Sequence, residues 1–395
     1  MSTTRKRVAV IGLGTAGSMA AWRLASRGAD VVGYEQFGTG HDRSAHAGES
    51  RIFRTAYFED QEYAPLLRTA KALWRQLEAE TGSELLTLAG HLMLGEASTE
   101  MANVSASIDQ FGVDASVIPL EEARKRWPQH PFREDDVVVL DREGGYLRPE
   151  LAVLNAARRA ETLGAQLRTY TPVEGIEVRN DGVWVTAGGH SERYDHAVVT
   201  TGPWAGKLFP EFAALVEVRK AVSAWFVGKE AGAFDPARFP CFIRATPREF
   251  YGLPAMAGNG LKLGLSGAVN RPVADPDALE RTVPLDEVQA FRELVTDSFP
   301  GLYPDPIRVA AYMDGYTRDG HGIVGRLGGE ERLTVVTGLS GHGFKLAPAL
   351  GEIAADYALA SSSDNTLALL NPDRFLATQS SAAKRGGDTR PVPGE

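Results

Sequence analysis

The sequence predicts an α/β fold in which a Rossmann-like domain is joined to a second domain built on a mixed, largely antiparallel sheet. Three stretches of the chain support this prediction. Residues 8–35 run through a β-branched segment, a glycine turn, a helical pattern and a second apolar segment, and residues 333–359 repeat the strand, glycine turn and helix. Between them, residues 210–320 consist mainly of strand-like runs with one helical segment, which indicates a second domain.

The glycine turn of the first stretch reads Gly12-x-Gly14-x-x-Gly17 and lies between a predicted strand and a predicted helix. In this context Gly12 permits the tight turn, Gly14 lets the backbone approach a pyrophosphate, and Gly17 lets helix and strand pack closely. Glu35 follows 18 residues after Gly17, where an acid takes the ribose hydroxyls of a dinucleotide. The acid disfavours NADP but leaves NAD and FAD open. The residues assigned to this half of the cofactor are Gly12, Gly14, Thr15, Ala16, Gly17 and Glu35.

Composition narrows the class of protein. The chain has 395 residues, 43% of them hydrophobic, and a formal net charge of −9, which fit a globular protein and argue against nucleic-acid binding. The single cysteine, Cys241, excludes an internal disulfide and a cysteine-based metal cluster, and we predict no metal site. No apolar run approaches the ~20 residues of a membrane span, and no signal peptide is recognisable. We therefore expect a cytoplasmic protein without membrane or nucleic-acid partners.

Periodicity and turn residues predict the remaining elements. Apolar residues at helical spacing predict helices over 62–81, 101–111, 120–127, 149–163 and 285–298. Alternating or continuous apolar runs predict strands over 85–95, 166–170, 173–178, 183–187, 196–200, 222–227, 250–253 and 261–264. The four strands between residues 166 and 200 are expected to form an antiparallel ribbon that returns to the main sheet.

Several segments of the chain occur in the same order as in a known enzyme family. They are the glycine fingerprint, ESRIFRTAY at 49–57, VVTTGPW at 198–204, YGLP and GLKLG within 251–264, and GLSGHGFKLAPALGE at 338–352. On these motifs the sequence resembles the family of monomeric sarcosine oxidase, N-methyltryptophan oxidase and pipecolate oxidase, within the glycine oxidase and D-amino-acid oxidase superfamily. The resemblance covers about residues 7–375. It implies a D-amino-acid oxidase-like fold and FAD rather than NAD.

The resemblance also implies a reaction, in which the C–N bond of a secondary or primary amino acid is oxidised to an imine and O2 is reduced to H2O2. The expected partners are a small-molecule amino acid and O2, and the expected state is a monomer or weak homodimer. On the same basis we expect an FAD-binding domain from residues 1–84, 149–210 and 321–378, a substrate domain from 85–148 and 211–320, and a disordered tail over 379–395.

Four residues are expected to act on the substrate or on oxygen. The family binds the substrate carboxylate with an arginine and a lysine at the positions of Arg54 and Lys345, and activates oxygen with a lysine at the position of Lys262. Tyr251 matches a tyrosine that lines the substrate pocket. Considered without the resemblance, Arg54 and Lys345 could be solvated surface charges, although the apolar turn around Lys345 argues against this. Likewise, Lys262 could point outward from an edge strand, and Tyr251 could be a core aromatic.

Further residues match family positions near the flavin. Arg51 corresponds to an arginine stacked close to the flavin ring, and an ion pair with Glu49 is its simpler alternative. His342 follows the second glycine turn, where it either contacts the flavin or caps the following helix. The other expected cofactor contacts are Ser50, Val173, Gly202, Trp204, Tyr312, Gly338, Gly341, Gly343, Phe344 and Lys345.

The chain departs from the family at the site of covalent flavin attachment. Relatives link FAD to a cysteine shortly before a T-x-D-x-H segment, which is 317–321 here. Counting back places Tyr312 at that position, and Cys241 lies 71 residues earlier. We therefore predict non-covalent FAD, with a tyrosyl linkage through Tyr312 as the alternative, and a buried, apolar role for Cys241.

A second departure concerns the substrate pocket. Ser266 stands where sarcosine oxidase has a histidine that helps to hold the substrate amine, and Gly325 stands where an acid is common. Both differences predict a roomier pocket. A bulkier N-alkyl amino acid, a cyclic imino acid of the proline or pipecolate type, or a biosynthetic intermediate would then be the substrate.

Three other functions remain open at this point. They are an FAD dehydrogenase that passes electrons to a quinone or carrier protein, a non-catalytic flavoprotein or a tRNA- or protein-binding relative, and an NAD-dependent dehydrogenase. Lys262 favours the oxidase over the dehydrogenase. The joint presence of Arg54, Lys262 and Lys345 argues against a pure binding module, which has no need for all three cations.

Overall fold

The computed structural model describes residues 5–256, 258–267, 269–326, 329–360 and 362–375. The tail expected to be disordered, 379–395, lies outside these residues. Among the helices in the described ranges, none is both long enough and apolar enough to cross a membrane.

The chain contains helices separated by single strands and by runs of consecutive strands. The strands are β1 (Arg7–Ile11), β2 (Asp30–Tyr34), β3 (Arg51–Phe53), β4 (Leu86–Thr87), β5 (His91–Gly95), β6 (Ala115–Ile118), β7 (Val137–Asp141), β8 (Gly145–Leu147), β9 (Gln166–Arg168), β10 (Val173–Arg179), β11 (Gly182–Ala187), β12 (His190–Tyr194), β13 (His196–Val199), β14 (Glu217–Phe226), β15 (Cys241–Arg244), β16 (Phe250–Leu253), β17 (Leu261–Leu265), β18 (Arg308–Tyr316), β19 (Ile323–Arg326) and β20 (Leu333–Thr337). The α-helices are α1 (Thr15–Ser26), α2 (Ala64–Thr81), α3 (Thr99–Phe111), α4 (Leu120–Arg126), α5 (Pro149–Thr162), α6 (Ala205–Leu208), α7 (Pro210–Ala213), α8 (Leu285–Ser298) and α9 (Ala347–Ala360).

A six-stranded sheet contains the strand that leads into the glycine fingerprint. Its order is β19-β20-β13-β1-β2-β9, and every neighbouring pair is parallel except β19 with β20. Strand β1 is buried on both faces. Val8 and Val10 pack in the same core as helices α1 and α9, and Ala9 and Ile11 pack in the core on the other side. Burial of both faces explains why β1 reads as a continuous apolar run rather than an alternating one.

An eight-stranded mixed sheet has the order β18-β14-β17-β16-β15-β5-β7-β6. Neighbouring strands are antiparallel except β15 and β5. Phenylalanine rings fill the core on one face, with Phe242 at 5.8 Å from Phe250 and 6.0 Å from Phe299 between ring centroids. The sheet brings β16, β17 and β18 to one region, and with them Tyr251, Lys262 and Tyr312, which are far apart in sequence.

The predicted antiparallel ribbon over residues 166–200 is partly wrong. Strands β9 and β13 pair in parallel with β2 and β1 and therefore belong to the six-stranded sheet. The ribbon consists of β10, β11 and β12. The sequence does not predict β12 because its residues, HSERY, are polar and mostly exposed, so that no apolar alternation marks the strand.

The two large sheets take their strands from separate stretches of chain. The six-stranded sheet takes its strands from residues 7–34, 166–168, 196–199 and 323–337, and the eight-stranded sheet takes its strands from 91–141 and 217–316. The finer domain boundaries expected from the sequence stay a prediction.

Candidate active site

The glycine turn between β1 and α1 has the geometry that each glycine position demands. Gly12 adopts a φ of +87°, in the left-handed region. A Cβ on Gly17 would lie 1.8 Å from the carbonyl oxygen of Gly12, so this glycine permits the close packing of α1 on the turn. A Cβ on Gly14 would meet nothing closer than Nδ1 of His46 at 3.8 Å, and Gly14 faces a cavity. The open space in front of Gly14 is where a pyrophosphate fits.

The variant Gly17→Ala is expected to lower stability by more than ~2 kcal/mol, because no rotamer moves a Cβ away from a backbone oxygen. Thermal unfolding of the purified protein measures this. Gly175→Ala is the matched control, since a Cβ there meets nothing within 4 Å. Equal melting temperatures for the two variants would contradict the packing role of Gly17.

Glu35 lies at the edge of the same cavity and is only 5% exposed. Its carboxylate accepts hydrogen bonds from the backbone N–H groups of Leu13 (2.9 Å) and Phe37 (3.0 Å). Although burial alone would raise the pKa of Glu35, bonds from His41 and from these two N–H groups lower it. The carboxylate is therefore ionised and held in one position. It can accept hydrogen bonds from the ribose hydroxyls of a dinucleotide.

This first cavity fits the adenosine half of a dinucleotide. The predicted cofactor residues that line it are Gly12, Gly14, Thr15, Ala16, Glu35, Val173, Gly202, Trp204 and Gly338. Within it, Oγ1 of Thr201 is buried without a hydrogen-bond partner, and such an orphaned group indicates that a ligand completes the site.

A second cavity of about 580 Å³ adjoins the first and shares Ala45 and Asp314 with it. It brings together most of the remaining predicted residues, which are Ser50, Arg51, Arg54, Tyr251, Tyr312, Gly341, His342, Phe344 and Lys345. The predicted cofactor residues Gly17 and Gly343 line neither cavity. Gly343 instead leaves room for Leu339, whose Cβ would lie 2.4 Å from an added Cβ. The structure shows a packing role for both glycines, and their predicted contact with the cofactor stays a prediction.

Arg54 is buried in the second cavity, with 2% of its surface exposed. The alternative of a solvated surface charge is therefore wrong. Its Nη2 donates to both carboxylate oxygens of Glu59, at 2.6 Å to Oε2, and its Cζ lies 4.2 Å from the ring centroid of Tyr57. Its Nε is buried without an acceptor. The guanidinium thus keeps a free donor that a substrate carboxylate can use.

Glu59 is a site residue that the sequence analysis missed. Although burial alone would raise its pKa, Arg54, with a smaller contribution from Lys345 and from His342 when it is protonated, lowers the pKa of Glu59 to about 2. The carboxylate is therefore ionised beside the predicted carboxylate-binding cations. Its position five residues after Arg54 is the one signal in the sequence, but nothing there indicates that the two side chains meet.

Lys345 is 5% exposed, so a surface role is again wrong. Its Nζ donates to the carbonyl of His342 at 2.7 Å and to the hydroxyl of Tyr57 at 3.3 Å. Burial, followed by repulsion from Arg54, lowers the pKa of Lys345 to about 7. Lys345 and Arg54 thus share one buried environment around the Tyr57 ring.

His342 lines the second cavity but does not cap the following helix. Its Nε2 donates to the carbonyl of Gly320 at 2.8 Å, and its Nδ1 therefore accepts from the hydroxyl of Tyr57 at 2.6 Å. Burial lowers the pKa of His342 to about 4. The ring is neutral near pH 7 and orients Tyr57 against Lys345.

Lys262 lies on β17, an internal strand between β14 and β16, so the edge-strand alternative is wrong. It is 2% exposed, and its Nζ donates to the carbonyls of Gly48 (2.8 Å) and Ser50 (3.1 Å). Burial, with repulsion from Arg51, holds the pKa of Lys262 well below its usual value. The ammonium is behind the 48–51 loop and lines neither of the two described cavities.

Arg51 does not pair with Glu49, which rules out its simpler alternative. Its Nη atoms donate to the carbonyls of Ser50 and Ala45, each at 2.8 Å. Glu49 instead pairs with Arg308. Arg51 therefore braces the loop that carries it and presents its charge to the second cavity.

Tyr251 lies on the wall of the second cavity, and its ring passes across Gly264 on the neighbouring strand. A Cβ on Gly264 would be 2.1 Å from Cζ of Tyr251, so glycine is needed for the ring to take this position. Ser266 also lines the cavity, in agreement with the predicted substitution in the pocket. Gly325 does not: an added Cβ there would face Pro372 at 3.1 Å, so Gly325 gives no room to the substrate.

Tyr312 and Cys241 lie in different surroundings. Tyr312 lines the second cavity and is 6% exposed. Cys241 is a free, fully buried thiol on β15, where burial raises its pKa, and it lines neither described cavity. No cysteine is therefore placed to bind a cofactor in the described residues.

The fold and the two joined cavities define a class of protein, a dinucleotide-dependent oxidoreductase with a substrate cavity beside the cofactor. The sequence matches the family model described as FAD dependent oxidoreductase over residues 7–357. The chain belongs to this family, and its cofactor is FAD. This confirms the predicted family and fold class and excludes NAD.

Individual relatives are similar in sequence to this protein over nearly its whole length. The chain is 34% identical to a monomeric sarcosine oxidase of Streptomyces avermitilis, covering 94% of this chain and 98% of the relative. It is also 34% identical to an N-methyl-L-tryptophan oxidase of Yersinia pestis, covering 88% and 94%.

Solved structures show the same fold at lower identity. An L-proline dehydrogenase from P. horikoshii has a TM-score of 0.82 at 22% identity and covers 95% of this chain and 98% of its own. NikD, described as an unusual amino acid oxidase essential for nikkomycin biosynthesis, has a TM-score of 0.80 at 22% identity and covers 93% and 98%.

Proposed function

We propose that the protein is an FAD-dependent oxidase that converts the C–N bond of a secondary or primary amino acid to an imine and reduces O2 to H2O2. The observation that supports it most is the pair of buried cations, Arg54 and Lys345, in a cavity that adjoins the cofactor cavity. Two buried, largely desolvated cations that line one cavity favour a carboxylate ligand. The relatives named as oxidases of sarcosine and N-methyl-L-tryptophan support a substituted amino acid.

The side chains divide the work as follows. Arg54 binds the substrate carboxylate through its free Nε, and Lys345 adds a second positive charge. Tyr251 forms an aromatic wall that shields the amine from water. FAD held by the residues that line the first cavity would supply the acceptor for the two electrons of the amine and the donor for O2. Lys262 and Arg51 supply positive charge beside the 48–51 loop and stabilise the negative charge that develops on oxygen.

Anaerobic titration of the purified yellow protein tests the proposal. A panel of N-alkyl and cyclic amino acids should bleach the flavin absorbance, and admission of air should restore it with release of H2O2. Bleaching without recovery in air, but with recovery on adding an artificial acceptor, would show a dehydrogenase instead. No bleaching by any member would reject amino-acid oxidation.

We expect the FAD to be non-covalent. Tyr312 occupies the place of the linking cysteine, and Cys241 is buried on another strand. Acid precipitation should therefore release yellow flavin into the supernatant. A yellow pellet would contradict this, and the Tyr312→Phe variant would then show whether a tyrosyl link holds the flavin.

The affinity for carboxylates is expected to fall as the pH rises through about 7, the pKa of Lys345. The lysine is charged below this pH, and a bound carboxylate raises its pKa further. The affinity therefore declines between the pKa of Lys345 in the free enzyme and the higher pKa of Lys345 in the complex with the carboxylate. Binding of an unreactive carboxylic acid, followed by the flavin absorbance, measures the profile. The Lys345→Met variant should lose the decline, and an unchanged profile in that variant would assign it to another group.

The size of the substrate pocket bears on which amino acid the enzyme oxidises. Ser266 supports a pocket with room for a larger N-alkyl or cyclic amino acid or a biosynthetic intermediate, whereas Gly325 gives it no support. Much faster turnover of sarcosine than of every larger amine would reject the roomier pocket. The cytoplasmic location and the monomeric or weakly dimeric state remain predictions.

A further inference from the structure

Tyr57 contacts both of the cations that are assigned to the substrate carboxylate, although it is not itself part of the cavity wall. Its side chain is fully buried and lines neither of the two cavities described above. Cζ of Arg54 lies 4.2 Å from the centroid of the Tyr57 ring, and Nζ of Lys345 lies 4.9 Å from the same centroid. The two positive charges therefore share one aromatic ring.

The shared ring offsets the repulsion between two like charges. Burial and then the charge of Arg54 lower the pKa of Lys345, which shows that each cation disfavours the other. The π face of an aromatic ring attracts a cation that lies within about 6 Å of its centroid. Glu59 also compensates the positive charge, but its hydrogen-bonded ion pair is with Arg54. The Tyr57 ring thus supplies attraction to both cations at once.

The hydroxyl of Tyr57 has a fixed direction. The carbonyl of Gly320 can only accept, so the neutral ring of His342 carries its proton on Nε2 and accepts at Nδ1. The Tyr57 hydroxyl therefore donates to Nδ1 at 2.6 Å and turns its lone pairs toward Nζ of Lys345 at 3.3 Å. Burial raises the pKa of the Tyr57 phenol, so the phenol keeps its proton at neutral pH. The Lys345 ammonium thus meets an acceptor and no competing donor.

The other titratable groups around Lys345 do not replace this acceptor. Arg54 lowers the pKa of Lys345 and Glu59 raises it, both through their charges. Burial, with repulsion from Arg54 and Lys345, holds the pKa of His91 well below its usual value, so this imidazole is neutral. Among the side chains in the described ranges, only that of Tyr57 accepts a hydrogen bond from the Lys345 ammonium.

We propose that Tyr57 is a positioning residue for substrate binding, whose ring holds Arg54 and Lys345 together against their mutual repulsion and whose hydroxyl keeps Lys345 oriented and charged. The inference rests on the proposed function, which assigns the substrate carboxylate to these two cations. Because Tyr57 does not line the substrate cavity, it acts on the substrate through them.

Two substitutions separate the ring from the hydroxyl. The dissociation constant of benzoate or propionate, whichever the wild type binds more tightly, is measured below pH 7 from the flavin absorbance of the holoenzyme. Tyr57→Leu removes the ring and should raise this constant about tenfold, whereas Tyr57→Phe keeps the ring and should raise it less than about threefold. During turnover of an amino acid, the loss in Tyr57→Leu should appear in KM more than in kcat.

The pH dependence of binding tests the hydroxyl. Lys345 is charged below its pKa of about 7, and the affinity for carboxylates falls above it. Tyr57→Phe removes an acceptor that stabilises the ammonium, so the pKa of Lys345 should fall. The decline in affinity should therefore move to lower pH by about half a unit or more relative to the wild type.

Tyr63 provides matched controls for both substitutions. It is fully buried, and its ring centroid lies 5.0 Å from that of Tyr57. Its hydroxyl bonds Nδ1 of His321 at 3.2 Å rather than a cation of the substrate cavity. Tyr63→Leu and Tyr63→Phe should each leave the dissociation constant within about twofold of the wild type and the pH of the decline unchanged. Melting temperature and flavin content show whether each variant is folded.

The outcomes separate the inference from the function on which it rests. An effect of Tyr57→Leu no larger than that of Tyr63→Leu would overturn the role of the ring, and an unchanged pH profile in Tyr57→Phe would overturn that of the hydroxyl. The pH profile of Tyr57→Phe decides alone where Tyr57→Leu does not fold. Bleaching of the wild-type flavin by an amino acid would in each case leave the proposed function standing. Failure of the wild type to bind either carboxylate would reject both.

Discussion

The Lys262→Met variant is expected to reoxidise in air at least ~100-fold more slowly than the wild type, while its anaerobic reduction by an amino acid changes far less. Lys262 is buried on a central strand next to Arg51 and Tyr312. Negative charge develops on O2 as it accepts electrons. A fixed positive charge in a site shielded from water stabilises that charge much more than it would in solution. Methionine has a similar length but no charge.

Stopped-flow mixing separates the two half-reactions. Reduction is followed anaerobically, and reoxidation is followed after mixing the reduced enzyme with oxygenated buffer. Lys229→Met is the control, because this lysine is exposed and its ammonium donates to the carbonyl of Pro300, far from the loop at 48–51 in sequence. An equal loss in both half-reactions would show that Lys262 mainly supports the loop through its bonds to Gly48 and Ser50. Flavin content and melting temperature report that structural effect independently.

The local motifs were predictable because their physics is local. The turn at Gly12, Gly14 and Gly17 is determined by backbone sterics within a few residues, so the sequence alone indicates its role. The same holds for the apolar spacing that predicts α2. By contrast, the exposed strand β12 has no apolar pattern, and its pairing with β11 depends on the neighbouring chain.

The chemistry of the substrate cavity was only half predictable. Arg54, Lys345 and Lys262 lie in motifs shared with a known family, and the structure places the first two in one cavity. Glu59 and Glu249 carry no such signal. In the sequence, both are ordinary acids in polar segments. Only the fold places Glu59 against Arg54 and Glu249 beside Ser266. Ion pairs formed across the fold depend on tertiary position, which spacing does not encode.

Arg54→Ala is expected to lower kcat/KM by about 100- to 1000-fold, mostly through KM. Two effects add in the same direction. The variant loses the planar guanidinium, with its free Nε, that binds the substrate carboxylate. It also removes the charge that contributes most to the low pKa of Glu59, so that this buried carboxylate loses its main partner. While it is ionised, Glu59 repels the carboxylate of the substrate.

A double variant separates attraction from repulsion. If both effects operate, Arg54→Ala combined with Glu59→Gln should recover part of the lost kcat/KM, because the unpaired carboxylate is gone while the guanidinium remains absent. The Arg54→Lys variant should also retain part of the kcat/KM that Arg54→Ala loses, since lysine keeps the positive charge but lacks the planar guanidinium. Glu59→Gln alone is the reference for the cycle. A double variant no better than Arg54→Ala would show that Glu59 stays paired to Lys345 or solvent, and that loss of the guanidinium accounts for the whole effect.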